Sequence, residues 1–130
     1  MKYKFIKYLF LIGLLFFLID KSHAQSAETE AKLQEVFFEI AASMSNEEKL
    51  NWESYLNRCM VVSMSSLPEG VDIKNLSDLP LVHKYGGTYT HDLTYEESTF
   101  NPLKYLILFH LNYDQYFRFG STDYVLKVVK

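Results

Sequence analysis

The closing stretch Phe100–Val129, FNPLKYLILFHLNYDQYFRFGSTDYVLKVV, constrains the fold most. Asn101-Pro102 breaks whatever precedes it, because a proline pushes the residue before it out of the helical region. Three apolar, aromatic-rich runs follow, separated by the turn signals Asn112-Tyr113-Asp114 and Gly120-Ser121-Thr122. Short runs joined by short turns predict strands at Lys104–Leu111, Gln115–Phe119 and Asp123–Val129, an antiparallel meander. Alternation assigns their faces, since successive side chains point to opposite sides of a strand. Tyr124, Leu126 and Val128 oppose Val125, Lys127 and Val129; Phe117 and Phe119 oppose Tyr116 and Arg118. In the first run Tyr105, Ile107 and Phe109 oppose Leu106, Leu108 and His110. That run is apolar on both sides, which predicts a central strand covered on both faces.

A sheet of this size needs something to cover it, and the middle of the chain supplies helices. Leu33, Val36, Phe37, Ile40, Ala41 and Met44 recur at i, i+3, i+4, i+7, i+8 and i+11, one apolar stripe on a helix of four to five turns. Ser45-Asn46-Glu47-Glu48 reads as a capping box that starts a second helix. Its stripe is Trp52, Tyr55, Leu56, Cys59 and Met60. Arg58–Met64 fits either the last turns of that helix or a short strand, with Val61-Val62 favouring the strand. Ser65–Gly70 is a turn, and Pro80 forbids a regular central strand in the irregular Val71–Leu93 region. The expected fold class is α+β, with two N-terminal helices packed on a small C-terminal antiparallel meander sheet.

The other end of the chain is a targeting segment. Three lysines within Met1–Lys7 precede an apolar run of twelve, Tyr8–Ile19, and Ser22 and Ala24 are small residues placed for a signal peptidase. These features predict a secretory signal peptide over residues 1–24, cut before Gln25. A retained anchor is the competing reading, but twelve helical residues span only about 18 Å of a hydrocarbon core of roughly 30 Å. A single domain over residues 25–130 remains, 106 residues with 9 basic and 15 acidic side chains, a net charge of −6. That balance excludes nucleic acid, which wants a basic face, and adhesion to anionic lipid. One cysteine, Cys59, permits no internal disulfide, so the core must carry stability alone. Absence of disulfides with such a signal points to a bacterial envelope or secreted protein rather than an animal secretory one.

Catalytic patterns are thin. His83, His91 and His110 lie at spacings that match no metal-ligand set, so no metal or other cofactor is expected. Cys59 reads first as a buried small hydrophobe and second as a reactive thiol awaiting a histidine. There is no G-x-S-x-G, Walker or dinucleotide-binding motif. Aromatic content is the strongest remaining signal: eight Tyr, six Phe and one Trp in residues 25–130. Tyr85, Tyr89, Tyr95 and Tyr113 fall in loops, where rigid amphipathic rings suit a partner or a sugar. The candidate ligand-binding residues are Tyr116, Arg118 and Lys127 on the open sheet face, with Tyr113 and Tyr89.

TFNPLKY, YFRF and the closing GSTDYVLKVV together resemble the C-terminal end of small exported proteins of Bacteroidota bacteria. The resemblance covers roughly Thr99–Val129. It implies an exported small α+β protein and carries no activity or catalytic residue. The function expected is a non-enzymatic binding domain of the bacterial envelope, periplasmic or secreted, for a protein, peptide or glycan. The alternatives are a small envelope hydrolase or inhibitor, and a structural protein whose edge beside Asp123–Val129 pairs with a partner.

Overall fold

The computed structural model describes residues 27–82 and 89–130. The expected signal peptide, its cleavage site, His83, Tyr85 and the Gly86-Gly87 turn lie outside the described residues. Among the described residues the architecture is α+β, with three α-helices and a four-stranded mixed sheet. Residues 27–37 form α1, Glu39–Ser43 form α2, and Asn46–Asn57 form α3. The strands are Cys59–Ser63 (β1), Ile73–Asn75 (β2), Gln115–Arg118 (β3) and Tyr124–Val128 (β4).

The single first helix expected from the apolar stripe is two. Phe38 takes φ 51 and ψ −127, a left-handed conformation that is costly for a bulky side chain, and ends α1 there. The break keeps Leu33, Val36 and Ala41 buried and sets Phe37 against Trp52, ring centroids 5.2 Å apart, while Ile40 turns outward. Helix α3 starts as expected. Ser45 Oγ accepts from the Glu48 amide, and Glu48 Oε2 accepts from the Ser45 amide. The ambiguous segment after it is a strand, β1.

The sheet order is β1-β4-β3-β2. β1–β4 and β4–β3 are antiparallel, whereas β3–β2 is parallel, so the sheet is not the pure meander expected. The correction has two causes. β1 and β2 come from distant sequence and flank the C-terminal hairpin, and Lys104–Leu111 is not a sheet strand. Pro102 opens a 3-10 turn, Pro102–Lys104, capped by the Asn101 side chain, which accepts from the Leu103 amide. Beyond it Tyr105 makes only an isolated bridge with Leu81. The run is also not covered twice: Tyr105 and Ile107 are buried, but Leu106 and Leu108 stand half exposed.

Residues 99–109 instead form a layer between helices and sheet. Phe100, Tyr105 and Ile107 join the core of Phe117, Phe119, Leu126, Val128 and Leu76. Leu103 joins the helical core of Leu33, Val36 and Ala41. Asn101, fully buried, ties the layers: Nδ2 donates to the Lys32 carbonyl (3.0 Å) and to Glu35 Oε2 (3.1 Å). β4 is interior, so the free sheet edges belong to β1 and β2 and none lies beside Asp123–Val129.

Candidate functional site

Pairing in register sorts the sheet into two faces. Cys59, Val61, Leu126, Val128 and Phe117 share the inner face and enter the core. Met60, Val62, Val125, Lys127, Tyr116, Arg118, Ile73 and Asn75 share the outer face. Tyr116 and Lys127 are direct cross-strand partners, and Arg118 pairs with Val125 one step along. The structure therefore brings Tyr116, Arg118 and Lys127 together.

Their charges are already engaged. Arg118 Nε donates to the Thr122 carbonyl at 2.7 Å and a terminal nitrogen donates to the Ser121 carbonyl at 3.1 Å, locking the β3–β4 turn. Lys127 Nζ lies 3.9 Å from Asp114 Oδ2. Tyr89 is elsewhere. Its hydroxyl lies 2.9 Å from the Glu35 carbonyl and 3.2 Å from that of Val36. Those carbonyls end α1, where the break at Phe38 removes their helical partners, so Tyr89 closes a helix end. Burial, then the Glu35 charge, raises its hydroxyl pKa.

Tyr113 leads to a different feature. It is 56% exposed and stands on the wall of a groove of about 760 Å³ beside the β2 edge. It is lined by Asp72, Lys74, Leu79 and Pro80, by Leu106 and Leu108, tied to Pro80 through the Leu106 amide (2.9 Å), and by Tyr113. β3 contributes Tyr116 and Phe117. Lys74 pairs in register with Phe117, which places this part of the groove on the inner face, where the core stops short of the sheet edge. The exposed lining is mostly apolar. Its size falls within the roughly 300–1,000 Å³ range of ligand pockets. The sequence signal for it was the alternation of Leu106 and Leu108, which reads equally well as a second buried strand face.

Among the described residues the nucleophile reading gains no histidine partner. Cys59 borders a smaller space of about 220 Å³ with Glu28, Lys32 and Glu97, and among the described residues no histidine lines it. Burial pushes the thiol up to about 12, against the pull of the Arg58 charge. His91 Nε2 pairs with the Leu79 carbonyl at 2.8 Å. Asp92 is held by neighbours: Tyr105 Oη donates to its Oδ2 (2.7 Å) and accepts from its amide (2.8 Å), and Lys104 Nζ reaches the same carboxylate at 2.7 Å. Burial raises the Tyr105 hydroxyl pKa, so it remains a donor. Among the described residues no group of three His, Cys, Asp or Glu is placed to hold a metal ion. No described helix is long and apolar enough to cross a membrane.

No protein-family model, no curated protein and no solved structure matches the chain.

Proposed function

We propose that this chain is an exported binding domain of the bacterial envelope, periplasmic or secreted, which holds a segment of a protein, peptide or glycan in the groove beside β2. One observation carries the reading: Leu106 and Leu108, about half exposed, line a mostly apolar groove with the equally exposed Tyr113. Apolar surface gathered in a concavity gains free energy when a ligand removes it from water, at roughly 25 cal/mol per Å². Export is supported by the basic head and apolar run of residues 1–24. The outer-face residues Tyr116, Arg118 and Lys127 form a second, more polar contact surface, but the turn and Asp114 already use both cations.

The test uses the full chain expressed with its own N-terminus in a bacterial host. N-terminal sequencing of the exported product is expected to begin at Gln25. Photo-crosslinkers placed at Leu108 and, as a control, at Leu50 on α3 are then compared in the envelope. The reading requires adducts at Leu108 that the control site does not give. Identical adduct patterns at both positions would sink it.

A further inference from the structure

Resting on the binding-domain reading, we propose that the groove takes an extended peptide segment, apolar at alternate positions and carrying a lysine or arginine, rather than a sugar. Three features of the groove select this occupant.

The first is spacing. Leu106 and Leu108 both face outward with Ile107 buried between them. An extended backbone rises about 3.3 Å per residue, so these side chains repeat at about 6.6 Å. A peptide strand lying alongside presents its own same-side residues at that interval. Beyond Leu108 the chain turns, the Leu111 amide reaching back to the Leu108 carbonyl, so the alternating wall is Leu106–Leu108 and meets about three ligand residues.

The second is chemistry. A sugar is gripped by flat aromatic faces and a dense set of fixed hydrogen-bonding groups. Here the apolar lining is chiefly aliphatic, with Leu79 and Pro80 beside Leu106 and Leu108 and the Leu106 amide bonded to the Pro80 carbonyl. Its tyrosines among the described residues are two, Tyr113 and Tyr116. Aliphatic walls favour apolar side chains.

The third is charge. Asp72, Asp78 and Asp114 border the groove against one cation, Lys74. Asp114 is shared with Lys127 and with the Lys130 amide. Asp72 and Asp78 are exposed and form no ion pair among the described residues. A cationic side chain at the end of the bound segment meets these carboxylates, and a second copy of this acidic chain does not match them.

The experiment selects a displayed library of random seven-residue peptides on the full chain matured by export, beside a bacterial glycan array. Enriched peptides are expected to carry apolar residues at i and i+2 and at least one Lys or Arg. Their synthetic forms should lose affinity at least ~10-fold to the L106E/L108E chain. D72N/D78N should weaken them by ~2- to 10-fold, the range for two rim-exposed charges, and reduce the salt dependence. Both pairs are solvent-exposed, so circular dichroism should match the parent; L106A/L108A serves if the glutamates disturb folding. Enriched peptides without a basic residue, or unaffected by L106E/L108E, would overturn the inference. So would glycan binding without peptide enrichment, which leaves the binding-domain reading standing. So would a concentration-dependent dimer lost in L106E/L108E. Binding to neither array overturns both.

Discussion

Replacing Asn101 by alanine isolates the joint between the helical layer and the segment that carries the groove wall. The side chain is 1% exposed and makes three hydrogen bonds: from Nδ2 to the Lys32 carbonyl and Glu35 Oε2, and from the Leu103 amide to Oδ1. The Glu35 carboxylate is on the surface and regains water, so its loss counts little. The Lys32 bond counts at about 0.5–1.5 kcal/mol net. The Leu103 amide is left buried without an acceptor, which costs about 1–3 kcal/mol. The expected destabilisation is therefore about 2–4 kcal/mol, a large share of the ~5–15 kcal/mol that holds a domain together. Urea titration followed by circular dichroism and Trp52 fluorescence measures it. Asn101→Asp sharpens the test. It keeps an acceptor for Leu103 but points a carboxylate at a carbonyl and at Glu35, so it should be at least as damaging at pH 7 and should recover partly in acid. A loss below about 0.5 kcal/mol for Asn101→Ala, or no pH dependence for Asn101→Asp, would show that the layers are not joined here.

Other outcomes follow from single contacts. Tyr89→Phe removes the hydroxyl that closes α1 and should cost about 1 kcal/mol in the same titration; no change would leave those carbonyls otherwise satisfied. Gly120 has φ +51, and a Cβ there would sit 2.7 Å from the Leu93 carbonyl oxygen. Gly120→Ala should therefore cost about 2 kcal/mol or more, since the left-handed conformation alone costs ~1–2 kcal/mol. A stable Gly120→Ala would mean that the 93 loop moves freely. Cys59 sets an alkaline limit. Its thiol ionises near 9 in the unfolded chain and only near 12 when folded, so the folded state retains the proton longer. The resulting stability is complete below about pH 9 and is lost as pH rises towards 12. Between pH 8 and 11 the parent should lose stability faster than Cys59→Ala, and parallel curves would refute the burial of the thiol.

What the sequence revealed was mostly local. The Ser45–Glu48 cap, the stripes through Leu33 and Val36, and the β3–β4 hairpin all depend on neighbours within a few residues. Alternation also placed Tyr116, Arg118 and Lys127 on one face, because register within a short hairpin is set by its turn. Non-local choices were not legible. Nothing in Ile73-Lys74-Asn75 announces a parallel partner forty residues away. The run Lys104–Leu111 has the period of a strand, yet its place is decided by Pro102, Asn101 and the bridge to Leu81. Its outward leucines therefore looked like core and became the wall of the groove. Tyr89 reads as a ligand contact from its loop and Arg118 from its sheet face; the carbonyls they satisfy are created only by the break at Phe38 and the fold of the turn.

The most direct test of the central claim is chemical-shift mapping on the isotope-labelled chain as an enriched basic, apolar peptide is added. Amide shifts are expected to concentrate in residues 71–80 and 106–117 and to follow one binding isotherm. Shifts centred instead on the outer face at Met60, Val62 and Lys127 would contradict the groove as the site.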